Sequence, residues 1–317
     1  TYWTLIGMVE AVKLGLTVEE ADAIMGRPIG APKTGIFGLG DVVGLDLIPH
    51  VTESMSSNLP ENDMYNIGVK EQEKLGIEKI LSEMISDGYT GRKGKGGFYR
   101  LNSDSGNKIK ESRNLKTGKY SKSSRKVGLE SVKAGKKGLR ALVEYNDKGG
   151  VYAWRVLSKT LSYAASLVPE ITGNIVNVDL AMKNGFLWKK GPFEMLDDLG
   201  PSWFASRISE EGMKVPELLE NVSEGNFYEE KGKDVLYFGT DGKYSKIRRP
   251  EGYLTATDVK RGQKAIFRNP SASLWDMGDN IILAEFHSKM NSMDPLIMEA
   301  LNEAADQCES GNYSGVV

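Results

Sequence analysis

The feature that most constrains this fold is an internal repeat. When a starting glycine is counted as position zero, a Phe follows at +2, an Asp at +6 and a Gly at +9 in two segments, which begin at Gly35 and Gly191. An Asp followed three residues later by a Met precedes both segments. A repeat of this kind predicts a duplicated structural unit within one chain.

Apolar residues at helical spacing open both copies of the repeat. The first copy has such a segment around Trp3, and the second has one around Trp154. We therefore expect a mainly α fold, with a first helical domain over residues 1–100 and a second over residues 149–230. The helices predicted inside these domains include residues 37–51, 71–86 and 192–199.

The repeated residues are interpreted as packing elements. The first glycine permits a turn, the phenylalanine fills the core, the aspartate bonds to nearby backbone or to an Arg, and the last glycine ends a helix. The glycines Gly38, Gly40 and Gly44 also fit a loose dinucleotide-binding pattern. However, no strand precedes them, and the second copy has Glu194 and Leu196 in place of the first two. Those side chains would hold the backbone away from a pyrophosphate, so NAD binding is not expected at this stretch.

A basic stretch separates the two helical domains. From Leu101 to Arg140 the chain has twelve Lys or Arg and three Asp or Glu, with few large apolar residues. We interpret residues 101–148 as a basic linker that lies across acidic domain surfaces. The alternative is a non-enzymatic helical binding or scaffold module that uses this stretch to bind anions. Nucleic acid is not expected as a partner, because Tyr120 is the one aromatic residue interleaved with these charges.

The last part of the chain has a different pattern. Turn-forming residues dominate residues 231–272, which we predict to be an irregular or β-containing connector. Residues 273–317 are predicted to form two strands around a Met-Gly-Asp-Asn turn, followed by a helix that Asp294 caps.

Composition excludes several classes of protein. The 317 residues carry a formal net charge of −2, so the whole chain does not favour polyanions. The single cysteine, Cys308, cannot form an internal disulfide, and with only His50 and His287 no metal site is expected. No apolar run reaches the roughly 20 residues of a membrane-spanning helix. A reducing, cytoplasmic location is expected.

A glycine-rich loop runs from Gly91 to Gly97 and contains Lys93 and Lys95. Backbone amides in such a loop can bind a phosphate, and the lysines would add positive charge. The same sequence is equally typical of an ordinary exit from a helix.

The two ends of the sequence also carry information. Thr1 lies inside an apolar helical pattern without a preceding N-cap, and the residues up to Val317 resemble the opening of a strand. We expect the polypeptide to be an internal fragment of a longer protein.

Several of these motifs resemble known families. The run from Ala31 to Asp46 and the loop from Gly91 to Tyr99 resemble the helical C-terminal domain of the 3-hydroxyacyl-CoA dehydrogenases, and the second copy of the repeat is similar to the same domain. The stretch from Ile281 to Met293, with the helix after it, resembles the start of the enoyl-CoA hydratase (crotonase) fold. This order is similar to that of bacterial bifunctional β-oxidation proteins.

The resemblance implies a parent protein that combines an NAD-dependent 3-hydroxyacyl-CoA dehydrogenase with an enoyl-CoA hydratase of fatty-acid β-oxidation. In that family the NAD-binding domain and its catalytic His-Glu pair precede the helical domain, and the hydratase catalytic groups follow later. No catalytic residue is therefore expected between Thr1 and Val317, and His50 and His287 are interpreted as structural. NAD and acyl-CoA are expected to serve the parent, with neither bound to the fragment.

The resemblance also implies roles for the surfaces of the fragment. The fragment would supply a wall of the acyl-CoA cleft and a packing or dimer surface. Its partners would be the missing NAD-binding domain, the rest of the hydratase domain, and a second copy of the protein or a thiolase. Lys289, Lys93 and Lys95 are candidates for contact with the CoA phosphates; for Lys289 the alternative is an ordinary surface lysine.

Overall fold

The computed structural model describes residues 1–103, 107–124 and 127–317. Parts of the basic stretch, residues 104–106 and 125–126, lie outside the described residues. Two units are distinguished: one contains Thr1–Tyr228 and Phe238–Tyr244, and the other contains Glu229–Tyr237 and Ser245–Val317.

Helices build the first block, which we define as residues 1–100. The first helix is buried over most of its length, because apolar residues occupy nearly all its faces, and the second begins with a capping box between Thr17 and Glu20. The helices are α1 (Tyr2–Leu14), α2 (Val18–Ile24), α3 (Phe37–Val43), α4 (Leu47–Asn58), α5 (Met64–Lys74) and α6 (Ile77–Ser86).

Two predicted helices of this block are interrupted. Gly44 ends α3 with a φ of 108°, and Gly76 separates α5 from α6 with a φ of 70°. Glycine adopts these left-handed angles without the steric cost that other residues incur, so each acts as a helix end inside an otherwise helical pattern. The predictions of one continuous helix over residues 37–51 and one over residues 71–86 are therefore wrong.

The segment predicted to be a plain linker contains regular structure. Three short antiparallel strands form a sheet of order β1-β2-β3, and two short helices follow it. These elements are β1 (Tyr99–Asn102), β2 (Ile109–Arg113), β3 (Tyr120–Lys122), α7 (Ser131–Ala134) and α8 (Leu139–Val143).

Polar and aromatic contacts hold this small sheet together. The Arg100 Nε lies 2.7 Å from a carboxylate oxygen of Glu111, and the Arg100 guanidinium lies 4.0 Å from the centre of the Tyr120 ring. An arginine stacked on an aromatic face is stabilised by the ring quadrupole. Because the strands contain few large apolar residues, the sequence pattern did not reveal them.

The second block, residues 148–228, packs on the first through the helices that open each block. The Tyr152 hydroxyl donates to the Gly7 carbonyl oxygen at 2.9 Å, and Tyr152 is fully buried. The Tyr2 and Tyr163 rings lie 4.5 Å apart. The helices of this block are α9 (Lys148–Ser166), α10 (Ile175–Phe186), α11 (Pro192–Leu199), α12 (Pro201–Glu210) and α13 (Glu217–Val222).

The predicted connector contains short strands and one helix. Strands β4 (Tyr228–Lys231), β5 (Asp234–Phe238) and β6 (Tyr244–Lys246) form a sheet in that order, and helix α14 (Ala256–Lys260) follows. This agrees with the β-containing alternative of the sequence prediction.

The last part of the chain forms a four-stranded sheet with a helix packed on it. The strand order is β10-β9-β8-β7; β9 pairs antiparallel with β8 and parallel with β10. The two predicted strands and the helix capped by Asp294 are confirmed, since Asp294 Oδ1 accepts the Ile297 N–H at 2.9 Å. The elements are β7 (Phe267–Arg268), β8 (Ala272–Gly278), β9 (Ile281–Phe286), α15 (Pro295–Glu309) and β10 (Gly315–Val316).

Within the three described ranges, no helix combines the length and the apolar character that crossing a bilayer requires.

The phenylalanines of the repeat are expected to contribute equally to stability. Phe37 and Phe193 are both fully buried and contact Phe98 and Phe227 edge-on, with ring centres 4.7 and 4.9 Å apart. Phe37→Ala and Phe193→Ala should each lower the free energy of unfolding by about 3–5 kcal/mol, measured by urea denaturation.

Leu101→Ala is the control for these two variants, because Leu101 is 64% exposed. It should change the free energy of unfolding by less than about 0.5 kcal/mol. A loss below about 1 kcal/mol at either phenylalanine would show that the two copies do not share this core position.

Candidate functional site

The repeated aspartates of the first block bind backbone amides of distant segments. Asp22 accepts the N–H of Phe37 at 2.7 Å, the N–H of Gly38 at 2.9 Å and the hydroxyl of Tyr99 at 2.8 Å. Asp41 accepts the N–H of Phe98 and that of Tyr99, both at 2.8 Å. We call this set of contacts the first carboxylate network; it joins α2 to the start of α3, and α3 to the start of β1.

The second block contains an equivalent set, the second carboxylate network. Asp179 accepts the N–H groups of Phe193 and Glu194 at 2.9 and 3.1 Å and the Tyr228 hydroxyl at 2.9 Å. Asp197 accepts the N–H of Phe227 at 2.6 Å and that of Tyr228 at 2.9 Å. The two copies of the repeat therefore make the same hydrogen bonds, to backbone and to tyrosine.

The first glycine of each repeat is required by the aspartate before it. A Cβ atom on Gly35 would lie 2.4 Å from Asp22 Cα, and one on Gly191 would lie 2.3 Å from Asp179 Cα. Neither distance is compatible with any side chain, so both glycines permit a close approach of two backbone segments. This geometry supports packing as the role of the repeated residues.

The sequence analysis missed the aromatic partners of the aspartates. The donors are a Phe-Tyr pair in each block, Phe98-Tyr99 and Phe227-Tyr228, and each pair follows a glycine by two residues. This second shared motif, Gly-x-Phe-Tyr, was present in the sequence. It was hard to align because the distance from the repeat differs between the blocks.

Burial changes the acidity of these carboxyl groups. Loss of hydration raises the pKa of Asp22 and of Asp179 to about 7, although their hydrogen bonds act in the opposite direction. The same cause raises the pKa of Asp41 and of Asp197 to about 6. Asp22, Asp41 and Asp179 are buried and Asp197 is partly buried, each against backbone amides, and none of the four lines the apolar cleft of the first block.

An apolar cleft of about 210 Å³ opens in the first block. Three of its lining residues, Val43, Leu47 and Phe186, are about half exposed and mark its opening. Most of the lining comes from α1, α3, α4 and α5, and one residue comes from the second block: Thr1, Thr4, Leu5, Met8, Ile36, Leu39, Gly40, Val43, Leu47, Ile48, Val51, Thr52, Tyr65, Gln72 and Phe186.

Such a cleft has the character of a site for an apolar ligand. Small-molecule sites are concave, largely apolar and carry a few polar groups. A larger depression of about 780 Å³ runs along α15, but acidic residues line it, among them Glu299, Glu303 and Asp306. The cleft of the first block is therefore the better candidate.

Lys93 lies beside the segment that joins α3 to α4, next to the cleft opening. Its Nζ forms an ion pair with Asp46 at 2.8 Å, and it lies so close to Gly44 that a Cβ there would be 2.8 Å away. The hydrogen bond from Lys93 lowers the pKa of Asp46. Both side chains are accessible to solvent, so the lysine can exchange this partner for a phosphate.

The other two candidate lysines have different surroundings. Lys95 Nζ donates to the Asp87 carbonyl oxygen at 2.9 Å. Lys289 is exposed in a short 3-10 turn, Lys289–Asn291, that precedes α15.

Most backbone amides of the glycine-rich loop already donate hydrogen bonds within the protein. Five of its N–H groups donate to carbonyl oxygens at 2.8 to 3.1 Å, those of Gly91, Arg92, Gly94, Lys95 and Gly97. A phosphate at this loop would therefore depend on the lysine side chains.

The stretch from Gly38 to Gly44 does not fit a dinucleotide. Gly38, Gly40 and Gly44 lie in and just after α3 without a preceding strand, and the Gly38 N–H donates to Asp22.

Within residues 1–103, 107–124 and 127–317, no group of three or more acidic, His or Cys side chains is arranged to hold a metal ion.

The two histidines have ordinary surroundings. His50 is exposed on α4. His287 Nε2 lies 2.8 Å from the Ser273 hydroxyl, but Ser273 is fully buried and a substrate could not reach it.

The raised pKa of Asp22 predicts a pH effect on stability. Folded Asp22 holds a proton up to about pH 7, whereas the ordinary value is near 3.8, so the folded state binds more protons between these limits. The contribution of Asp22 to the free energy of unfolding should therefore fall as the pH rises from 5 to 7. The stability advantage of the wild type over Asp22→Asn, from urea midpoints, should shrink over this range.

Asp46→Asn is the matched control for this measurement. The Asp46 pKa is lowered, so this group is ionised in both states above pH 5 and its effect should not vary with pH. A constant difference between wild type and Asp22→Asn from pH 5 to 8 would contradict the raised pKa.

Curated relatives match the whole length of this chain. A Bacillus subtilis protein named "Probable 3-hydroxyacyl-CoA dehydrogenase" is 32% identical over 323 residues, covering 100% of this chain and 39% of its own length. A Rickettsia felis protein that carries the name of a fatty acid oxidation complex trifunctional enzyme is 30% identical over 304 residues, covering 95% of this chain and 37% of its own length.

The chain thus spans about two fifths of the length of these relatives. A Deinococcus radiodurans protein named "Probable 3-hydroxyacyl-CoA dehydrogenase" is 26% identical over 103 residues, covering 32% of this chain and 27% of its own length. Residues 4–101, which include nearly all of the first block and most of the residues that line the cleft, match the family model of the 3-hydroxyacyl-CoA dehydrogenase C-terminal domain.

Proposed function

We propose that this chain supplies the helical, acyl-CoA-binding part of an NAD-dependent 3-hydroxyacyl-CoA dehydrogenase that is joined to an enoyl-CoA hydratase in fatty-acid β-oxidation. The observation that carries the proposal is the apolar cleft, because nearly all its lining residues lie within the range that matches the dehydrogenase family model. An acyl chain is the apolar part of the substrate named for that family.

The size of the cleft suits a medium-length acyl chain. An apolar cavity of about 150 Å³ takes up one benzene molecule, or about 25 Å³ per carbon atom. At 210 Å³ the cleft would accept about eight carbons. Each methylene that enters contributes roughly 0.8 kcal/mol to binding.

Lys93 is the proposed contact for the CoA phosphates. It lies next to Gly44, between the two helices whose residues Val43 and Leu47 mark the opening. An ammonium group on a flexible stem can follow a phosphate as a point charge. Lys95 stays a candidate for the same role, and Lys289 stays a candidate for a CoA phosphate contact within the hydratase-like part.

The chain itself is proposed to bind and shield substrate rather than to complete the reaction. The glycines of α3 do not fit NAD, so no hydride-transfer step is assigned to these residues. Purified chain should therefore show no steady NADH oxidation with acetoacetyl-CoA.

The second block is proposed to be a second copy of the same domain with a packing role. The positions of Gly40 and Val43 are occupied there by Leu196 and Leu199, which are buried. Both side chains are larger than those of the residues at the same positions of the first block. The support for the duplication is the pair of equivalent carboxylate networks.

The final sheet and α15 are proposed to begin a hydratase domain of the crotonase type. The support is the sequence resemblance together with the observed order of an antiparallel pair, a helix and a parallel third strand.

The basic stretch does not favour the scaffold alternative. Lys110 lies 4.0 Å from the centre of the Tyr99 ring, and Arg140 Nε forms an ion pair with Glu144 at 2.9 Å. These two of the twelve basic residues contact their own unit instead of extending from it as an arm.

Octanoyl-CoA should raise the melting temperature of the chain more than CoA does, because the acyl chain adds apolar contact with the folded state. Leu47→Lys places a charge at the opening and should abolish this extra rise while leaving the unliganded melting temperature nearly unchanged. Ile67→Lys is the control, since Ile67 is similarly exposed on α5 but does not line the cleft. Equal responses of the two variants, or none in the wild type, would refute acyl binding in the cleft.

The role of Lys93 is testable with CoA alone. Lys93→Ala should weaken the binding of CoA and of octanoyl-CoA by the same factor, about fivefold or less, because an exposed charge pair contributes at most about 1 kcal/mol. Calorimetric titration at low and high salt measures this factor, which should vanish at high salt. Lys95→Ala is tested in parallel; if this variant alone reduced the affinity, Lys95 would be the contact instead of Lys93.

A further inference from the structure

One lining residue of the cleft comes from the second block. Phe186 is the last residue of α10, lies four residues after the repeated Met182 and is 53% exposed. Its own block thus leaves a large apolar side chain half exposed to solvent at the end of a helix.

The backbone after Phe186 is fixed against the first block. Trp188 is buried and contacts Trp3 edge-on, with ring centres 5.2 Å apart. The next amide, that of Lys189, donates to the Gly30 carbonyl oxygen at 2.9 Å. These contacts place Phe186 beside α1, although its own side chain is half exposed.

We propose that Phe186 is an apolar lip that covers the bound acyl chain, so that the second block completes the acyl site of the first. This inference rests on the proposed function. The exposed half of the ring, together with Val43 and Leu47, surrounds the opening, and an acyl chain that enters there covers apolar surface that water contacts in the free protein. Phe186 thereby contributes to the recognition of the acyl chain and not of CoA.

The experiment compares the binding of CoA and of octanoyl-CoA by calorimetric titration. Complete burial of a phenylalanine side chain changes an affinity by about ten- to a hundredfold, so covering its exposed half is worth about three- to tenfold. Phe186→Ala should weaken octanoyl-CoA binding by about three- to tenfold and leave CoA binding within about twofold of the wild type.

Leu180→Ala is the matched control. Leu180 lies on the same helix, is 44% exposed and does not line the cleft. This variant should bind both ligands as the wild type does.

Two further variants distinguish the loss of the apolar contact from a folding defect in Phe186→Ala. Phe186→Leu keeps an apolar side chain and should retain most of the octanoyl-CoA affinity, whereas Phe186→Gln is of similar length but polar and should lose it. The unliganded melting temperature of each variant shows that the comparison is made between folded proteins.

The outcomes separate this inference from the proposed function. If the wild type binds octanoyl-CoA more tightly than CoA and Phe186→Ala keeps this preference undiminished, the lip is refuted and acyl binding stands. Equal losses for CoA and octanoyl-CoA in Phe186→Ala would also refute it. If the wild type shows no preference for octanoyl-CoA over CoA, both the role of Phe186 and acyl binding in the cleft are refuted.

Discussion

The structure of the two blocks depends on buried carboxylates that accept backbone N–H groups. Asp22 holds the start of α3, and Asp41, on α3, holds the start of β1, so three segments far apart in sequence are fixed by two side chains. A buried carboxylate without such donors would be costly, and buried amides without acceptors would be costly as well. The network satisfies both, and it determines where α3 and its neighbours can lie.

The same carboxylate contacts are surrounded by different elements in the two blocks. In the first, four of the six helices of the block surround an apolar cleft. In the second, Leu196 is buried at the position of Gly40, and two helices, α12 and α13, lie between Asp197 and the Phe-Tyr pair. The carboxylates thus make the same hydrogen bonds in both copies, while the side chains packed around them differ.

Sequence reasoning predicted the parts that depend on local patterns. The repeat, the mainly helical blocks, the helix over residues 192–199 and the cap at Asp294 follow from spacing and capping residues, and the aspartates do bond to backbone as expected. The expectation that the last glycine of the repeat ends a helix is confirmed at Gly44 and conflicts with the helix predicted over residues 37–51. The break at Gly76 was missed, because a single glycine inside an apolar pattern does not by itself end a helix. Sequence reasoning also missed the small basic sheet and the contribution of Phe186, since both depend on contacts between distant segments.

The cleft of the first block is proposed to receive the acyl chain. Methyl-resolved NMR of the chain with octanoyl-CoA, compared with CoA, locates the ligand without any substitution. We expect acyl-dependent shifts at Met8, Val43 and Leu47, which line the cleft, and none at Met293 and Met298 on the acidic depression of the other unit. Acyl-dependent shifts at Met293 and Met298, with the cleft methyl groups unmoved, would contradict it.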